Sequence, residues 1–88
     1  NTVVTDNKGN LYVNNTGNTA LSHGGSGDVL CGMITGFLAQ GLGCFDASAL
    51  GVYLHGLTSE IASEELTEYS VLASDLINYI PKAIKTLI

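Results

Sequence analysis

The chain has 88 residues, 45% of them hydrophobic and only 12% charged, with a net charge of −5. That length admits one small domain or a piece of a larger one, and the apolar content excludes an intrinsically disordered segment. Three lysines against eight acidic residues leave no basic footprint, so neither nucleic acid nor an anionic membrane is an expected partner.

The low charge has a further meaning, because a free-standing domain of this size normally spreads more charge over its surface. It implies that apolar surface is covered by more chain or by a partner. Residues 29–45 carry no charge, but Gly32, Gly36, Gly41 and Gly43 interrupt them. They fall short of the ~20 apolar residues of a membrane span, which predicts a buried helix. The start Asn1-Thr2-Val3-Val4 has no initiator methionine and no charged leader. It reads as a beginning cut from a longer chain, with a cytoplasmic location expected.

In chain order, 2–5 and 11–13 are short runs of β-formers flanking Asp6-Asn7-Lys8-Gly9-Asn10, which predicts a β-hairpin. Residues 14–27 form a polar loop, long enough to suggest a function. A helix is predicted over 28–40, apolar on nearly every side and the most buried of the chain; Gly32 and Gly36 leave a smooth stripe for another backbone.

Asp46 is a candidate N-cap for a second helix, with Leu50, Leu54, Leu57 and Ile61 facing inward and Glu60, Glu64 and Glu65 facing water. A last helix begins near Leu72 or Ala73, with Leu76, Ile77, Ile80, Ile84 and Leu87 on its apolar side and Pro81 predicted to kink or restart it. Cys31 and Cys44 lack metal-ligand spacing and read as reduced, buried side chains. Tyr53 reads as packing and His55 as a hydrogen-bonded core residue. Two strands followed by three helices fit the end of an α/β domain.

The chemistry concentrates in Gly24-Gly25-Ser26-Gly27-Asp28. Glycines just before a helix let backbone N–H groups converge on one point, where the helix dipole also favours an anion. No side chain obstructs phosphate oxygens there, and Ser26 can add a hydroxyl donor. Asp28 beside such a cradle has the wrong charge to bind phosphate but can accept a proton from a nucleophilic hydroxyl. Taken alone, the pentapeptide reads equally as a helix cap after a glycine connector. No lysine follows the glycines, which excludes the Walker pattern, and no βαβ unit surrounds them, which excludes the dinucleotide fingerprint.

The wider run Asn14-Asn15-Thr16-Gly17-Asn18-Thr19-Ala20-Leu21-Ser22-His23-Gly24-Gly25-Ser26-Gly27-Asp28-Val29-Leu30 resembles the signature of the ADP- or ATP-dependent NAD(P)H-hydrate dehydratases. The likeness continues through Gly32-Met33-Ile34, Leu38-Ala39-Gln40-Gly41, Gly51-Val52-Tyr53-Leu54-His55-Gly56 and Ala73-Ser74-Asp75-Leu76-Ile77.

The resemblance implies that residues 1–88 are the C-terminal part of a single ribokinase-like α/β domain. It implies an anion hole at Gly25, Ser26 and Gly27, and Asp28 as the base that also meets the substrate hydroxyl. The implied substrate is a nicotinamide cofactor hydrated on its reduced ring, NAD(P)HX; the implied co-substrate is ADP or ATP, ADP favoured, with Mg2+ held largely by the nucleotide phosphates. Any protein group assisting that ion is expected upstream of Asn1.

Thr2 stands where the family has a threonine that meets the nucleotide, although the lysine and glycine that precede it in the family are absent. Asn18 and Thr16 shape the loop or touch the nucleotide, and His23 occupies the place of a small residue. Two other readings stay open: a vitamin-precursor kinase sharing the glycine-Asp turn, against which 14–18 argues, and an inactive structural piece of such an enzyme.

Overall fold

The computed structural model describes residues 2–18, 25–67 and 73–87. The chain starts with strands β1, Val3–Thr5, and β2, Leu11–Val13, antiparallel with Val3 opposite Val13, Val4 opposite Tyr12 and Thr5 opposite Leu11. Its turn is built by Asp6, whose carboxylate accepts hydrogen bonds from Lys8 N (3.0 Å), Asn10 N (2.9 Å) and Asn10 Nδ2 (2.8 Å). Gly9 supplies the positive φ of 90° that closes it. Val4 and Tyr12 point inward, while Val3, Leu11 and Val13 are exposed. An isolated two-stranded hairpin is marginal in water, and this one leans on α2 (Cys44–Leu66) through β1.

Helix α1, Ser26–Ala39, starts two residues earlier than the sequence predicts. It ends in a Schellman turn: Gly41 has a φ of 99°, Gly41 N donates to Leu38 O (3.0 Å) and Leu42 N to Phe37 O (3.2 Å). α2 is capped by Gly43, so Asp46 lies in its first turn, where its charge complements the helix dipole. Helix α3, Ala73–Lys85, runs through Pro81. The carbonyl of Ile77 that Pro81 cannot serve belongs to an exposed residue, where water can satisfy it.

The most buried helix is α2, not α1. Ala47, Gly51, Val52, Leu54, His55, Gly56, Thr58, Ser59 and Ala62 are buried along it, whereas no described residue of α1 is. α2 is packed by β1, α1 and α3 together, so its position overrides the greater apolarity of α1. Its buried hydroxyls bond back to the helix, Thr58 Oγ1 to Leu54 O (2.6 Å) and Ser59 Oγ to Gly56 O (2.7 Å), which removes the cost of burying them. Ala62 meets Leu76 of α3, flanked by Val29, Leu66 and Tyr79.

Both cysteines are exposed, correcting the buried reading, because Cys31 lies on the open side of α1 and Cys44 begins α2. Gly32 and Gly36 face open space, for an added Cβ would meet nothing within 4 Å. The close approach between α1 and α2 is instead at Gly51, where a Cβ would stand 2.6 Å from Ile34 Cγ1 and 3.6 Å from Ile34 Cα. On α3, Leu76 is buried and Ile80 half-buried, but Ile77 and Ile84 are exposed, as is Leu87 just past the helix end, and Ala83 takes the second inward position.

Candidate functional site: a glycine turn at the start of a helix

Gly25 has φ 88° and ψ −11°, a left-handed conformation that swings the chain directly into α1. A Cβ there would strain the backbone, which gives the glycine its physical reason. The first bond into the helix runs from Val29 N to Gly25 O (3.3 Å). The N–H groups of Ser26, Gly27 and Asp28 are therefore those a helix start leaves for an outside acceptor. A Cβ at Gly27 would meet nothing within 4 Å among the described residues. Gly24, His23, the rest of 19–24 and the Ser26 side chain lie outside the described residues.

Asp28 is exposed in the first turn of α1. It stands at the edge of an open cleft of about 410 Å³ between α1 and α3, otherwise lined by Val29, Gly32, Met33, Ile77 and Ile80. One helix start thus brings together backbone donors for an anion, a carboxylate able to take a proton, and an apolar wall. This set suits the transfer of a phosphoryl group to a hydroxyl held near Asp28. Among the described residues, no three His, Cys, Asp or Glu side chains gather where they could hold a metal ion.

Of the other sequence-predicted residues, Thr2 lies just before β1, and Thr16 and Asn18 lie on the segment that follows β2. Thr2 is exposed, and its carbonyl accepts from Asn14 N (2.8 Å). Asn14 is buried; its Oδ1 accepts from Tyr12 OH (2.9 Å) and its Nδ2 donates to Thr16 O (3.2 Å). Burial and the neighbouring Tyr53 push the Tyr12 hydroxyl above its ordinary pKa, so it remains a donor. Thr16 Oγ1 lies 3.0 Å from both Asn14 Oδ1 and Tyr53 O. Asn18 Nδ2 donates to Ser63 Oγ (3.1 Å).

Glu60 differs from its sequence reading. It is half-buried and accepts a hydrogen bond from Gly17 N (3.2 Å), while Glu64 and Glu65 face water. Tyr53, Gly56, Glu60 and Ser63 recur at helical spacing on one side of α2. A polar and glycine stripe on a helix that is otherwise largely apolar was the available signal for them.

A hairpin and three helices, the first of them opened by a glycine turn, match part of a ribokinase-like α/β fold. The family model described as NAD(P)H-hydrate dehydratase matches residues 1–82. The chain is 41% identical over 86 residues to the bifunctional NAD(P)H-hydrate repair enzyme Nnr of Thermofilum pendens, covering 98% of this chain and 16% of that protein. It is 38% identical over 84 residues to the ADP-dependent (S)-NAD(P)H-hydrate dehydratase of Bacillus subtilis, covering 96% of this chain and 30% of that protein. The crystal structure of the ADP/ATP-dependent NAD(P)H-hydrate dehydratase from Bacillus subtilis co-crystallised with ATP/Mg2+ superimposes with a TM-score of 0.91 at 36% identity, covering 98% of this chain and 31% of that one. The chain belongs to the NAD(P)H-hydrate dehydratase family, and it spans less than a third of the length of these relatives.

Proposed function

We propose that the whole protein repairs hydrated nicotinamide cofactor, using ADP or ATP to dehydrate NAD(P)HX to NAD(P)H. The observation that carries this reading is the left-handed Gly25 turn opening α1 with Asp28 exposed beside it. The names of the relatives support the substrate.

The Ser26, Gly27 and Asp28 N–H groups, with Gly25 setting the turn, bind the phosphoryl oxygens as charge moves onto them. Asp28 accepts the proton of the ring hydroxyl as its oxygen attacks phosphorus, and the nucleotide leaves one phosphate shorter. Hydroxide is a poor leaving group and phosphate a good one. The ring nitrogen then expels phosphate to leave a ring iminium, and loss of a proton from the adjacent ring carbon restores the neutral reduced ring. Bound magnesium supplies charge neutralisation on the phosphates. Thr2 and Asn18 contact the nucleotide in this reading. A homo-oligomer in the cytoplasm belongs to the same reading, and among the described residues no helix is long and apolar enough to cross a membrane.

The test is an assay of the whole protein with hydrated NADH and ADP, then ATP, following the return of reduced-nicotinamide absorbance and the release of phosphate. Recovery of both signals in step with nucleotide consumption is expected. A stable phosphorylated product on a different hydroxyl compound, with hydrated NADH untouched, would instead make the protein a small-molecule kinase.

A further inference from the structure

The segment that carries Asn18 lies along α2, and Thr16, Gly17 and Asn18 are each held by a different residue of that helix. Thr16 reaches the carbonyl of Tyr53, Gly17 N donates to Glu60 Oε2, and Asn18 Nδ2 donates to Ser63 Oγ. Ser63 Oγ donates in turn to Ser59 O at 2.7 Å, which leaves it oriented as the acceptor for Asn18. Gly17 has a φ of 107°, so its N–H is presented by a backbone conformation that favours glycine. Gly56 makes the seating possible, because a Cβ there would stand 2.7 Å from the carbonyl carbon of Thr16.

Resting on the nucleotide reading above, we infer that Glu60 is a positioning residue: by holding the Gly17 N–H it fixes where Asn18 meets the nucleotide. Glu60 acts through the backbone of the loop and touches no reacting atom. Its side chain is the one carboxyl group among the three acceptors, the others being the Tyr53 carbonyl and the Ser63 hydroxyl. Losing it releases the loop between two anchors, at Thr16 and Ser63, without removing either.

Two measurements on the whole protein test this, with Lys82→Ala as the control because Lys82 pairs with the exposed Glu65 and not with Glu60. The first needs no nucleotide: hydrogen exchange of the segment 14–18 is expected to be about tenfold faster in Glu60→Ala, and near that of the unaltered protein in Glu60→Gln, which keeps an acceptor oxygen. In the second, the nucleotide KM rises about tenfold in Glu60→Ala while kcat stays within about twofold, and Glu60→Gln restores most of the loss. Unchanged exchange at 14–18, or a nucleotide KM that moves no more than in Lys82→Ala, would overturn the inference. An unaltered protein that ignores adenine nucleotides overturns the functional reading and this role with it. That failure is distinguishable, because the exchange measurement still reports whether Glu60 holds the loop.

Discussion

Thr16 sits directly on Gly56. A Cβ built on Gly56 would lie 2.7 Å from the carbonyl carbon and 2.8 Å from the Cβ of Thr16, so the loop backbone itself rests on the bare face of α2. Gly56→Ala is therefore expected to destabilise the fold by about 1–3 kcal/mol, the usual cost of overpacking, despite alanine's better helix propensity. Combining it with Thr16→Ala should recover only part of the loss, since the carbonyl carbon stays in place. Urea unfolding of the single and double variants decides this: full recovery would mean that the hydroxyl alone made the conflict.

The hairpin and the glycine turn were legible in the sequence because their chemistry is local. Asp6 and Gly9 carry the hairpin turn among themselves, and Gly25 needs only its own φ to open α1. The burial order of the helices was not. α1 is the more apolar, yet α2 is buried because three other elements pack on it. Glu60 is hard to place for a related reason: its partner, Gly17 N, is 43 residues away in sequence, so helical periodicity can mark the polar and glycine stripe on which Glu60 stands but not the segment that covers it. The exposure of Cys31 follows from the same open position of α1.

Asp28 is exposed and shares the helix start with the donors of the turn, and replacing it separates binding from chemistry. Asp28→Asn leaves the backbone N–H groups where they are and removes the proton acceptor. The rate of repair of hydrated NADH is expected to fall by about 10²–10⁴-fold, with adenine nucleotide affinity largely kept. Single-turnover assays and equilibrium nucleotide binding on the same variant provide the check. Normal turnover would remove Asp28 from the role of base.

The ends of α2 and α3 are joined by a small exposed cluster. Glu65 accepts from the Tyr79 hydroxyl and from Lys82 Nζ (3.1 Å), and Lys82 lies 4.8 Å from the Tyr79 ring centre. The Tyr79 hydrogen bond, then Lys82, hold the Glu65 carboxyl below its ordinary 4.5, and the same bond holds the Tyr79 hydroxyl above its ordinary 10.0. A depressed carboxyl contributes stability that is present above about 4.5 and lost as pH falls through its folded value. A raised phenol contributes stability that is complete below 10.0 and lost as pH rises through its folded value. Tyr79→Phe should therefore flatten both limbs of the melting-temperature profile slightly, the effect being small because solvent screens the pair. Parallel profiles for the two proteins would show that the cluster contributes nothing to stability.

Gly32 and Gly36 occupy interior turns of α1 with open space where a side chain would stand. Glycine at such positions costs backbone entropy that nothing in the described residues requires. Gly36→Ala should stabilise the 88-residue chain by about 0.5–1 kcal/mol, and Gly32→Ala by a similar amount. The whole protein gives a different reading of the same substitutions, because the relatives contain more than twice as much chain again beyond the part matched here. If that additional chain packs its backbone on this face of α1, the alanines gain stability in the 88-residue chain and lose it in the whole protein. Urea unfolding of both forms separates the cases: a gain in each means that the face stays open, and a gain that turns to a loss locates the neighbour that these two glycines admit.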